Sequence, residues 1–136
     1  MATAYSGTPL AKKLGIKAGH SILLHNQPDH YFDLFADLPA NLTFLKRKNQ
    51  ESADFIHLFC TRFADLQQIT TSYKKALKKD GLLWLSWPKG SSAIETDLKR
   101  DMIRDHLLAA GLVDVKVAAI DKDWSGLKFV YRLKDR

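Results

Sequence analysis

Two uninterrupted apolar runs, Phe55-Ile56 with Leu58-Phe59-Cys60 and Leu82-Leu83-Trp84-Leu85 with Trp87, bracket a segment where Phe63, Leu66, Ile69, Tyr73 and Leu77 recur at three- and four-residue steps. A continuous apolar run suits a strand covered on both faces, as in the middle of a parallel sheet. The recurring residues place one apolar stripe on a helix. Asp80-Gly81 is expected to stop that helix, because glycine accepts the left-handed backbone of a helix end. The unit reads as strand, crossover helix and parallel strand, a connection that winds right-handed.

The same pattern extends in both directions. Ser6-Gly7-Thr8-Pro9 is expected to open a short helix, with Thr8 as its cap, Leu10 and Leu14 on one edge and Gly15 at its end. Residues 21–26 (SILLHN) form a buried-type strand, and Tyr31 to Phe35 a helix of one or two turns. Leu42 to Leu45 reads as a strand that runs out into Lys46-Arg47-Lys48, where charge discourages edge pairing. Beyond Lys89, Ser92 to Glu95 has capping-box spacing and Thr96-Asp97 offers a second start. Leu98, Met102, Ile103, Leu107 and Ala110 make the stripe of a helix that Gly111 terminates. Alternation over Val113 to Ile120 and Leu127 to Leu133 predicts an antiparallel hairpin, with residues 121–126 as its loop.

Composition adds limits. With 136 residues, 46% of them hydrophobic and 26% charged, the chain is expected to form one globular domain spanning 1–136. No apolar run approaches the ~20 residues that cross a bilayer, and the N-terminal segment lacks the apolar centre of a secretory signal. The single cysteine, Cys60, excludes an intrachain disulfide and fits a reducing cytoplasm. Inside its strand it reads as a small apolar side chain rather than a reactive thiol. The net charge of +6 raises nucleic acid as a partner. The cations are dispersed, however: Lys74, Lys75, Lys78 and Lys79 crowd a helix end, and no cluster alternates with aromatics to make a base-stacking surface. Nucleic acid is therefore disfavoured as a partner, and a small molecule or protein is expected instead. The edge at residues 42–45 admits either a monomer or a homodimer.

This order of elements, a parallel sheet closed by an antiparallel C-terminal hairpin, resembles the class I S-adenosylmethionine-dependent methyltransferase domain, a three-layer Rossmann-like α/β fold. Residues 14–24 (LGIKAGHSILL) resemble the lead-in to the first strand of those enzymes. Residues 53–59 (ADFIHLF) resemble their fourth strand, residues 76–83 (ALKKDGLL) the turn into the fifth, and residues 109–115 (AAGLVDV) the approach to the sixth. The segment between the second and fourth strands is truncated. That resemblance implies a glycine-rich turn after the first strand, on which the cofactor would rest. Here the turn reads His25-Asn26-Gln27-Pro28-Asp29-His30, without glycine, and Pro28 offers no N–H. The acidic residue expected at the end of the second strand is replaced by Lys46-Arg47-Lys48. Conventional cofactor binding is not expected, and no cofactor is assigned. Over nearly its whole length the chain also resembles an uncharacterised family of small bacterial proteins. Residues 6–16 (SGTPLAKKLGI), Ser86-Trp87-Pro88-Lys89 and residues 124–129 (WSGLKF) carry that likeness, which implies no activity.

In an open parallel sheet, ligands bind beyond the carboxyl ends of the strands, where strand order reverses. That rule selects Asn26, Gln27, Asp29 and His30 after the first strand and Thr61 and Arg62 after the central one, flanked by Trp87 and Lys89. An Asp–His pair near Arg and Lys could hold a small anion or move a proton. Trp124, with Trp87, could form an aromatic wall. His25, His30 and His57 lack ligand spacing, so no metal site is assigned. No nucleophile-elbow serine or phosphate loop is present. The expectation is a non-catalytic small-molecule or protein binding module on a degenerate methyltransferase scaffold, with an enzyme acting on a small anionic metabolite, or a weak nucleic-acid binder, as the alternatives.

Overall fold

The structure, a computed structural model, describes residues 8–136. The Ser6-Gly7 part of the expected helix opening lies outside them. The described elements run α1 (Leu10–Leu14), β1 (Ser21–His25), β2 (Thr43–Phe44), β3 (Ala53–Phe59), α2 (Phe63–Ala76), β4 (Leu77–Pro88), α3 (Arg100–Ala109), β5 (Leu112–Ala119) and β6 (Trp124–Tyr131). One-turn 3-10 helices lie at Tyr31–Leu34 and Leu133–Asp135. The strands form one sheet in the order β2-β1-β3-β4-β6-β5. Its first four strands are parallel, and β6 runs antiparallel to both β4 and β5. The expected mostly parallel α/β architecture with an antiparallel C-terminal hairpin is present. The segment between β2 and β3 carries no helix or strand.

Alternation along the central strands divides the core into two layers. Ile56, Leu58 and Cys60 of the β3 segment join Leu83, Leu85 and Trp87 of β4 against Leu66, Ile69 and Tyr73 of α2 and Ile103 and Leu107 of α3. Phe55, Phe59 and Trp84 face the other way, onto Leu14, Tyr31 and Phe35. All the residues of β3 except Asp54 are buried, as a doubly covered strand requires. No helix among the described residues is long and apolar enough to cross a membrane.

Three boundaries differ from the sequence reading. Helix α2 ends at Ala76, and Leu77 is already the first residue of β4, paired with Ala53. Between Ala53 and Phe55, β3 advances two residues while β4 advances from Leu77 to Leu82. Gly81 therefore sits in an irregular strand, not at a helix end. A Cβ there would lie 2.7 Å from Leu77 Cδ1 and 3.0 and 3.1 Å from the carbonyl oxygens of Asp54 and Ala53. Absence of a side chain is what the site uses, rather than a left-handed backbone. Backbone oxygens of a paired strand cannot step aside, so Gly81→Ala is expected to cost about 1–3 kcal/mol by urea unfolding.

The second difference concerns α3. Its cap position is Lys99, and Asp97 instead accepts the Phe63 N–H at 2.8 Å, capping α2 across the loop. Met102, assigned to the inward stripe, is 36% exposed. Thirdly, the hairpin loop is shorter than residues 121–126. Trp124, Ser125 and Gly126 belong to β6 and pair with Pro88, Trp87 and Ser86. The turn is held by Asp121, whose Oδ1 accepts the N–H groups of Asp123 and Trp124. At the first helix, Pro9 stands one residue before the helical run, at the cap position, and Gly15 ends the helix at φ 90°.

Candidate functional site

After β1 the chain moves outward to β2, and it then returns to β3 on the other side of β1. Strand order reverses between β1 and β3, so the crevice of an open sheet falls beyond His25 and Phe59. Asn26 turns the chain there with φ 55°, a left-handed conformation that glycine usually supplies and asparagine tolerates. Its Nδ2 donates to the Phe59 carbonyl at 3.4 Å, bridging the ends of the two strands. Tyr31 packs its ring edge-on against Phe59 and His57 and is 2% exposed. Gln27 and Asp29 point outward and are exposed. His30 leaves the crevice to meet Asp121, Nε2 to Oδ2 at 2.8 Å. Burial alone would raise the Asp121 carboxyl, but the bonds from His30 and from the Asp123 and Trp124 N–H groups hold it below its ordinary range.

The other half of the expected set converges elsewhere. Arg62, Trp87 and Lys89 line an open cleft of about 820 Å³ at the carboxyl end of β4, together with Glu95, Lys99 and Arg100. Four cations thus share one concavity with a single carboxylate. The helices α2 and α3 both begin at this cleft, behind Arg62 and Lys99, and add the positive ends of their dipoles. Its far wall is tied to the sheet through Thr61, whose carbonyl accepts Thr96 Oγ1 at 2.6 Å and the Asp97 N–H at 3.3 Å. Trp124 is not part of it. That indole lies in the opposite core layer, edge-on to Phe59 at 5.0 Å, whereas Trp87 belongs to the α2 side. The two tryptophans make no common wall. Lys99 and Arg100 were not singled out from sequence; their signal was a basic pair at the start of α3, between Leu98 and Met102 of its stripe.

Two further groupings join residues that the sequence separates. Tyr31 Oη, His57 Nδ1, His57 Nε2 and Ser86 Oγ form a hydrogen-bonded chain, with steps of 3.0 and 2.7 Å. His57 and Ser86 are fully buried. Burial lowers the His57 imidazole to about 3 and raises the Tyr31 phenol, so the chain is neutral at ordinary pH. With no access for a substrate, it is a structural network, as expected for a strand histidine. The other grouping is His25, Cys60 and Asp65. His25 Nε2 stands 3.3 Å from Asp65 Oδ2, while Tyr73 Oη lies 3.3 Å from His25 Nδ1. Burial, reinforced by the Asp65 carboxylate, pushes the Cys60 thiol upward.

Comparison with solved structures identifies this architecture. The chain is similar to a SAM dependent methyltransferase from Aquifex aeolicus, with TM-score 0.65, 14% identity, and 88% of this chain and 86% of that one covered. It is also similar to the fibrillarin pre-rRNA processing protein of Methanococcus jannaschii, with TM-score 0.54, 18% identity and coverage of 85% and 68%. A third similar structure is the Burkholderia thailandensis 1,6-didemethyltoxoflavin-N1-methyltransferase with bound S-adenosylhomocysteine, with TM-score 0.54, 12% identity and coverage of 88% and 73%. The fold is the methyltransferase-like Rossmann fold. No family model matches the chain, and no curated protein matches it in sequence.

Proposed function

We propose that the chain is a binding module on a methyltransferase-like scaffold, and that it takes a small anionic molecule in the cleft of Arg62, Trp87, Lys89, Lys99 and Arg100. One observation carries this reading. The strand-reversal crevice is bridged by Asn26 and backed by Tyr31, while the neighbouring cleft is open and basic. Four cations and two helix N-termini favour phosphate or carboxylate groups, and guanidinium groups can grip such oxygens in pairs. Trp87, largely buried, adds an aromatic residue to the lining. Two of the similar structures named above are methyltransferases; this chain shares their fold, and its turn after β1, His25 to His30, carries no glycine on which an adenosine cofactor would rest.

Calorimetric titration tests the two halves of the proposal together. S-adenosylmethionine and its demethylated product are expected to give no binding heat, and micromolar affinity for either overturns the reading. Inorganic pyrophosphate is expected to bind and to lose about tenfold in affinity in Arg62→Gln or Lys89→Gln, as loss of one charge-assisted contact implies. Equal affinity in both variants would remove the cleft as the site.

A further inference from the structure

We propose that His25, Cys60 and Asp65 form a zinc site with one open coordination position. The sheet itself assembles it. His25 is the last residue of β1, with its side chain on the α2 side, and it pairs with Leu58 of β3. Cys60 follows two residues after Leu58 on the same side, in the α2 core layer. The first turn of α2 then brings Asp65 over both. One nitrogen, one sulfur and one carboxylate oxygen all lie within 4.8 Å of one another. Tetrahedral zinc with bonds of ~2.0–2.3 Å sets its donors about 3.3–3.8 Å apart. The His25–Asp65 distance of 3.3 Å already fits, and a side-chain adjustment of about an ångström closes the rest.

Three features point to a metal rather than to a buried thiol that packs like any small apolar group. An apolar thiol needs neither an imidazole nor a carboxylate beside it, yet a donor atom of each lies within 4.8 Å of the Cys60 sulfur. Tyr73 holds the His25 ring from behind, through Oη to Nδ1 and an edge-on contact at 5.4 Å, and so presents Nε2 to the other two donors. Such outer partners orient the histidines of metal sites. Finally, the His25 and Asp65 side chains are 24% and 34% exposed, which gives an ion a route in and leaves the fourth position facing solvent. Mixed nitrogen, sulfur and oxygen donors suit zinc and disfavour magnesium or calcium, which take oxygen alone. Three protein donors plus an open position is the arrangement that leaves zinc free to bind a further ligand.

The test uses the full chain, stripped with a chelator and titrated with Zn²⁺ against a chromophoric competitor. One equivalent is expected to bind with submicromolar affinity. Co²⁺ in place of zinc is expected to give the thiolate-to-cobalt charge-transfer band in the near ultraviolet. Since the chain has one cysteine, that band reports Cys60 without any variant that could fail to fold. His25→Gln and Asp65→Asn, both at the rim, are expected to weaken zinc by at least about a hundredfold, and Tyr73→Phe by about tenfold. Circular dichroism verifies that these variants fold, and pyrophosphate binding in the cleft stays unchanged in His25→Gln. Absence of stoichiometric zinc, cobalt binding without the band, or undiminished zinc in folded His25→Gln and Asp65→Asn would each overturn the site.

Discussion

Lowering the pH from 7 to 4 is expected to destabilise the protein by about 3 kcal/mol through His57 alone. The sign follows from the two states. In the folded chain the fully buried imidazole protonates only near pH 3. In the unfolded chain it protonates near its ordinary value of 6.5. Between those limits the unfolded state holds the extra proton, so stability is complete above pH 6.5 and declines as pH falls toward 3. The slope approaches about 1.4 kcal/mol per pH unit. Asp54 and Asp121, both held below the ordinary carboxylate range in the folded chain, act in the same direction at the acidic end. Urea unfolding at pH 7, 6, 5 and 4 measures the slope. His57→Gln, which keeps a hydrogen-bonding side chain but cannot titrate, should flatten the region between pH 6 and 5. An unchanged slope in that variant would mean that the imidazole protonates normally and is not sealed from water.

Trp84→Ala is expected to remove about 3–5 kcal/mol at pH 7, a large part of the 5–15 kcal/mol typical of a domain. Trp84 is the largest of the fully buried side chains and sits in the middle of β4. It joins the sheet to α1, because its indole N–H donates to the Leu14 carbonyl at 2.8 Å. Gly126 of β6 gives it room: a Cβ there would meet Trp84 Cε3 at 3.0 Å. Truncation therefore leaves a cavity and an unpaired helix-end carbonyl together. Trp84→Phe separates these effects, since it keeps most of the ring and loses only the bond, at a cost of about 1–3 kcal/mol. Chemical unfolding followed by far-ultraviolet circular dichroism distinguishes the variants. A loss below about 1 kcal/mol for Trp84→Ala would show that α1 is not anchored through this residue.

The scaffold was legible because the central strands advertise themselves. Leu82 to Leu85, and Phe55 to Phe59 apart from His57, are apolar on both faces, and few structures except a covered parallel strand use such runs. The α2 stripe was equally plain from Leu66 to Tyr73. Its end was misplaced because Gly81 signals a turn to any local reading, whereas its use is to admit the Ala53 and Asp54 carbonyls from the next strand. Ser125-Gly126 misled for the same reason, since Gly126 makes space for Trp84. Asp97 looked like the start of its own helix but caps α2. Each of these residues answers to a neighbour distant in sequence. The candidate sites were legible only in part, by the same logic. The strand-end rule found Arg62, Trp87 and Lys89, but nothing in the spacing of His25, Cys60 and Asp65 brings them together. The register of β1 against β3 does that.

The junction at Ala76–Leu77 has a mechanical consequence. Helix α2 hands over to β4 without a single linking residue, and its other end is clamped by Asp97. A rod fixed at both ends has no hinge about which to swing. The Arg62 end of the proposed cleft is therefore not expected to swing with α2. For the proposed anion, this end of the cleft offers a standing wall, so discrimination there is expected to rest on size and charge rather than on movement of α2.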